Sequence, residues 1–135
     1  MAAWPGTWRR VLVLAVHALA VWALCGATIA AGRALLSMQT TLVVHAILAP
    51  IFAAAAAYLY GARFGHVGPL AAASFFLAFI VAVDFFLVAL VIERSLDMFR
   101  SALGTWIPFA QIFGAALVAG TAARRAHPSD GARAV

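Results

Sequence analysis

The sequence predicts an all-α integral membrane protein, a bundle of four transmembrane helices. Of its 135 residues, 67% are hydrophobic and only 10% are charged, and the mean hydropathy is +1.06. Soluble proteins average about 45–50% apolar and 25% charged residues. The apolar residues fall into four runs near the roughly 20 residues that span a bilayer. These runs use most of the chain, so we predict one transmembrane domain, residues 1–122.

The first predicted helix covers residues 11–31. It follows two tryptophans and two arginines within positions 4–10, which are typical of a membrane interface. A cleaved signal peptide is the alternative interpretation. The apolar run is longer than the roughly 7–15 residues of a signal-peptide core, and no small residue directly precedes Cys25, as a lipoprotein site requires. We therefore expect this segment to be retained as a helix.

The second predicted helix covers residues 40–60 and ends at an aromatic and basic edge that includes Arg63. Two glycines and Pro69 then break the chain and begin the third helix, because proline is tolerated in a first helical turn. The short connector predicts that the second and third helices are antiparallel neighbours.

The third predicted helix covers residues 70–92. Charged and apolar residues then interleave over residues 93–100, which indicates a segment at the membrane surface. Gly104 is predicted to end this segment and Thr105 to cap the fourth helix, residues 106–122.

The arginines predict the orientation of the bundle. Six of the nine lie at the N-terminus, in the second connector or in the tail, and three lie on the other side. Because arginine is enriched in cytoplasmic loops, both termini are predicted to be cytoplasmic, in a cell membrane and specifically a bacterial inner membrane. The tail, residues 123–135, is predicted to be disordered. Topology also accounts for the net charge of +5, so nucleic-acid binding has no separate support.

Small residues predict where the helices touch, because helix association in lipid depends on close backbone approach. Gly26 and Ala30 mark such a surface on the first helix. Residues 53–57 mark one on the second helix, and Ala116 with Gly120 one on the fourth.

Asp84 lies in the middle of the third apolar run, where a carboxyl group costs roughly 2.5–3.5 kcal/mol on insertion scales. It could be a proton or cation site, or a hydrogen-bonded group that only fixes helix packing. In either case we expect it to face other helices. Helical spacing predicts that six apolar residues share its side: Leu77, Ile80, Val81, Leu87, Val88 and Val91.

Three further polar side chains complete a candidate intramembrane site. At about 1.5 Å per residue, His45 and Gln111 lie roughly 7–8 Å from the outer ends of their helices, Asp84 about 13 Å and His17 about 20 Å. We predict His45 as the first partner of Asp84. Pro50 follows His45 and could open a cavity by a kink, or could serve packing alone.

No metal or cofactor is predicted. Haem needs both axial ligands at one iron, and His17 and His45 differ in depth by about 12 Å. The candidate ligands also lack the short spacings typical of zinc sites. Phosphate-binding glycine loops, Gly-x-Ser-x-Gly, His-Glu-x-x-His and Cys-x-x-Cys are all missing from the sequence.

Three classes of function remain open. The first is an accessory or assembly component of a membrane complex, in which the polar groups serve packing. The second is a small carrier or channel, expected to be a homo-oligomer because four short helices hardly enclose a path alone. The third is a membrane enzyme using His45 and Asp84 as acid and base. The predicted partners are the lipid bilayer and either identical copies or other membrane subunits.

Overall fold

The computed structural model describes residues 4–128, and these form helices and connectors without a β-strand. The four main helices are α1 (Trp4–Leu35), α2 (Met38–Arg63), α3 (Pro69–Val83) and α4 (Ile107–Ala126). Three shorter helical segments join α3 to α4: a π-helix over Asp84–Ile92, a 3-10 turn over Asp97–Arg100 and a π-helix over Ala102–Trp106. Four helices are long and apolar enough to span a membrane, which confirms the predicted fold class.

The helix starts follow from local hydrogen bonding. Ser37 caps α2, because its hydroxyl oxygen accepts from the Thr40 N–H at 3.2 Å. Pro69 lies in the first turn of α3, as predicted.

The predicted cap of the fourth helix is wrong. Ser101 provides the cap there, accepting from the Gly104 N–H at 2.9 Å. Thr105 is buried inside the helical segment, and its hydroxyl donates to the Met98 carbonyl at 2.6 Å. The cap therefore lies four residues earlier, at Ser101, where the helical segment that leads into α4 begins.

The tail begins later than predicted, because α4 continues to Ala126. Residues 123–126 are thus helical, with the Ala123 side chain fully buried. Residues 129–135, which make up most of the predicted disordered tail, lie outside the described residues. Before α4, the 93–100 segment turns sharply at Arg94, whose φ is +51°.

The helices form a ring in the order α1, α2, α4, α3, so each packs mainly on two neighbours. The prediction that α2 and α3 are neighbours is wrong, because they lie diagonally across the bundle. Close backbone approach decides this order. A Cβ added at Gly61 of α2 would lie 2.9 Å from the Ala123 Cβ of α4, and one at Gly120 of α4 would lie 3.4 Å from the Pro69 Cβ of α3.

The small-residue prediction is confirmed for α2 and α4 and wrong for α1. Ala53, Ala57 and Ala116 are at most 2% exposed. Gly26 and Ala30 are exposed, and a Cβ at Gly26 would meet no atom within 4 Å. On α1 the close contact is made instead by Gly32, against Thr41 of α2.

The two ends of the bundle differ in packing. We call the end with the 64–68 connector, the start of α1 and the end of α4 the closed end. The end with the α1–α2 turn and the 93–106 segment is the open end. A core that includes Leu14, Tyr60 and Phe76 fills the closed end. A second apolar layer, with Val21, Ile80, Phe109 and Ile112 among its residues, crosses the middle of the bundle.

Candidate functional site at the open end

A cavity of about 850 Å³ occupies the open end, above the middle apolar layer. Residues near the middle of the helices form its floor: Trp22, Cys25, Ile80, Asp84, Phe109 and Ile112. Residues near the helix ends form its mouth: Arg33, Met38, Glu93 and Asp97. All four helices contribute to the wall, which is mostly apolar. The cavity is therefore a pocket that is closed at mid-bundle.

Asp84 is the polar group at the cavity floor. Its Oδ1 accepts a hydrogen bond from the Trp22 indole Nε1–H of α1 at 2.9 Å. The side chain is partly buried and lines the cavity. The expectation that Asp84 contacts another helix is therefore confirmed, but the partner is a neutral indole donor on α1.

The π-helix that begins at Asp84 changes which residues share its side. The Glu93 N–H bonds to the Val88 carbonyl five residues back, at 2.8 Å, so each turn holds more residues than an α-helix. Val88 lines the cavity together with Asp84, as predicted, but Ala89, which was not predicted on this side, is fully buried. Leu87 and Val91, predicted on the side of Asp84, are 41% and 61% exposed. The prediction assumed α-helical spacing, but the chain is π-helical from Asp84 onwards.

His45 also lines the cavity, on α2. It is buried, and its Nδ1 has no hydrogen-bond partner within residues 4–128. No hydrogen bond joins it to Asp84 in this part of the chain, because α2 and α3 are diagonal and Asp84 is bonded to α1. The structure thus brings the predicted pair to one cavity without pairing them directly. Pro50 lies within α2 but does not line the cavity.

Gln111 and His17 do not line the cavity. The Oε1 of Gln111 is buried and has no partner among the described residues. His17 lies towards the closed end, where its Nδ1 bonds to the Val13 carbonyl at 2.8 Å and its ring packs edge-on against Tyr60, with centroids 5.7 Å apart. The four predicted polar residues therefore do not form one chain of hydrogen bonds.

The mouth carries the remaining acidic groups. All three acidic residues within 4–128 line this one cavity: Asp84, Glu93 and Asp97. Arg33 of α1 pairs with Glu93 at 3.2 Å, between half-exposed side chains, and Arg100 pairs with Asp97 at 3.7 Å. Asp84 takes part in neither ion pair. The cavity thus has charged, neutralised groups at its mouth and one carboxyl without a cation at its floor.

Sequence reasoning missed Trp22, although a signal was present. The other three tryptophans lie near the ends of the predicted spans, where interfacial tryptophan is common, whereas Trp22 lies in the middle of the first. An indole N–H at that depth needs an acceptor. Asp84, the one acidic residue inside a predicted span, was an available acceptor.

No protein family, curated protein or solved structure matches this chain. Within residues 4–128, no group of three or more histidine, cysteine or acidic side chains is placed to hold a metal ion.

Proposed function

We propose that this protein binds a small lipophilic molecule in the open-end cavity, as the binding site of a small membrane carrier. The observation that carries the proposal is a cavity of about 850 Å³ between four apolar helices, all of which line it. Binding pockets for small molecules are typically concave, about 300–1,000 Å³, mostly apolar and lined by a few placed polar groups. Trp22, Asp84 and His45 are such groups here.

Helix packing in lipid supports occupation of the cavity. Helices in a bilayer gain stability from close contact, since burial of apolar surface from lipid gives little. A void of this size forfeits those contacts over the open half of the bundle. The closed half, with its fully buried alanines, shows how tightly this sequence can pack.

One wall of the cavity is formed by α1. Ala23, Gly26 and Ala30 line the cavity and are exposed, so these small residues leave room for a bound molecule along the helix. From Trp22 to Arg33 the lining extends about 16 Å along α1. That length fits a molecule with a chain of about ten carbons.

We also propose that both termini are cytoplasmic in a bacterial inner membrane, so that the cavity opens on the outer side. The arginine distribution supports this orientation. Reporter fusions after Arg63 and Arg125 should read cytoplasmic, and a fusion near Asp97 should read external. A cytoplasmic reading near Asp97 would reverse the orientation and make the cavity open inwards.

The cavity can be tested by filling it. Gly26→Trp should block the cavity without disturbing the fold, because a Cβ there meets no atom within 4 Å. Gly114→Trp is the matched control, since Gly114 also has free space and lies outside the cavity. Lipophilic compounds retained through purification from host membranes would be extracted and compared by mass spectrometry. We expect at least one lipophilic compound to be retained by the wild type and by Gly114→Trp and to be lost from Gly26→Trp.

A defined probe provides a second measurement. Cys25 is the only cysteine of the chain and lines the cavity floor, so its alkylation by N-ethylmaleimide reports occupancy. 1-Decanol should slow this alkylation in the wild type and in Gly114→Trp. If 1-decanol gives no protection and the Gly26→Trp protein retains the same compounds as the control, the cavity is not a binding site. The accessory and enzyme roles would then be the remaining hypotheses.

A further inference from the structure

We infer that the ligand is an amphipathic amine, bound as its ammonium cation by the Asp84 carboxylate at the cavity floor. This inference rests on the proposed function and adds the chemical class of the ligand. It follows from the unfilled hydrogen-bonding capacity of Asp84 and from the charges around the cavity.

The carboxyl group of Asp84 is only half used. Trp22 donates to Oδ1, whereas no hydrogen bond or ion pair to Oδ2 is present within the part of the chain that the structure describes. The side chain lines the cavity, so the free acceptor is available to a bound molecule. A carboxylate in a membrane interior is expected to have a cationic or donor partner. The cavity is where such a partner would bind.

The cations of the protein itself do not fill this role. Within residues 4–128, Arg33 is the only arginine that lines the cavity, and it pairs with Glu93 at the mouth. Arg100 pairs with Asp97 and does not line the cavity. Arg94 does not line it either, and the remaining arginines of the described chain lie towards the closed end.

The charge balance favours a cation over an anion or a neutral ligand. Among the described residues that line the cavity, Glu93 and Asp97 are each paired with an arginine, and Asp84 is the one carboxyl group without a cation. An ammonium group donates a charge-assisted hydrogen bond to the carboxylate, which is roughly twice as strong as the bond from a neutral hydroxyl. The effect increases in a medium of low dielectric constant, because charge interactions are less screened there. The apolar wall above Asp84 then accommodates the hydrocarbon part of the same molecule.

Three probes with one chain length separate these possibilities: decylamine, 1-decanol and decanoate. Each would be titrated against the intact protein in phosphatidylcholine nanodiscs, and the concentration that halves Cys25 alkylation would be measured. Using this midpoint separates binding from any change in the reactivity of the thiol. We expect decylamine to bind more tightly than 1-decanol, and decanoate least tightly.

The variant Asp84→Asn should raise the decylamine midpoint by at least about tenfold, since truncating one member of a buried charge pair is costly, and leave 1-decanol within about twofold. Asp97→Asn is the matched control; because Asp97 lies at the exposed mouth, we expect changes within about twofold for all three probes. Equal shifts of decylamine and 1-decanol in Asp84→Asn, or tight binding of decanoate to the wild type, would overturn the inference while leaving the cavity as a binding site. If none of the three probes protects Cys25 from alkylation in the wild type, the proposed function is overturned as well.

Discussion

Trp22→Phe is expected to lower the free energy of unfolding by about 1–3 kcal/mol, the cost of leaving a buried polar group without its partner. Phenylalanine retains an aromatic ring at this position but removes the Nε1–H. That N–H makes the only protein hydrogen bond to the Asp84 side chain among the described residues. The measurement is unfolding in mixed micelles with a rising fraction of dodecyl sulfate, followed by far-ultraviolet circular dichroism.

Trp106→Phe is the matched control. Its Nε1–H also donates a hydrogen bond, at 2.8 Å, but to the backbone carbonyl of Phe99, and Trp106 is 57% exposed. Water can replace a donor to an exposed carbonyl, so we expect a cost below about 1 kcal/mol. If the two variants lower the free energy of unfolding equally, the Trp22–Asp84 hydrogen bond stabilises the bundle no more than the exposed Trp106 bond does.

A double-mutant cycle identifies the partner of Asp84 more directly. In an Asp84→Leu background, Trp22→Phe has no carboxyl group to leave unpaired, so its cost should fall and the coupling energy should reach about 1 kcal/mol or more. His45→Ala in the same background should show the smaller coupling, because no hydrogen bond joins His45 to Asp84 within the described chain. The reverse ranking would restore His45 as the partner predicted from the sequence.

Gly32→Ala is expected to destabilise the bundle by about 1–3 kcal/mol through overpacking. A Cβ at this position would lie 2.5 Å from Cγ2 and 2.7 Å from Oγ1 of Thr41. Thr41 cannot move easily, because it is fully buried and its hydroxyl donates to the Ser37 carbonyl at 2.9 Å. The added methyl group must therefore separate α1 from α2 beside their turn. Thermal unfolding in detergent measures the effect.

The control for this prediction is Gly114→Ala. A Cβ at Gly114 meets no atom within 4 Å, and alanine has a higher helix propensity than glycine. This change should therefore be neutral or stabilising by up to about 1 kcal/mol. Adding Thr41→Ala to Gly32→Ala removes the two nearest atoms and should recover part of the loss. If Gly32→Ala matches the Gly114 control, α1 and α2 are not in close contact at their turn.

The cavity and its polar groups were only partly predictable. Apolar length, interfacial aromatics and Pro69 each report on a single helix, and the sequence therefore predicts four spans and their approximate positions. Asp84 and His45 stand out in the same way, because a polar residue inside an apolar run is unusual by itself. Whether these two residues contact each other depends on which helices are neighbours, and the sequence of a single span gives no information about that. His45 was predicted as the first partner because the short connector between α2 and α3 suggested that these helices are neighbours. They are not neighbours in the structure.

The sequence by itself determined that the chain folds as four membrane-spanning helices, because the cost of placing polar backbone in lipid leaves no other arrangement for apolar runs of this length. It also determined which polar side chains, such as Asp84 and His45, lie inside the apolar spans. Only the tertiary structure decided the ring order of the helices, the Trp22–Asp84 bond and the open-end cavity. Helix order depends on close contacts of single glycines and alanines, such as Gly61 with Ala123. The residues that share the side of Asp84 depend on its π-helical turns, since these place Leu87 and Val91 away from the positions that α-helical spacing predicts.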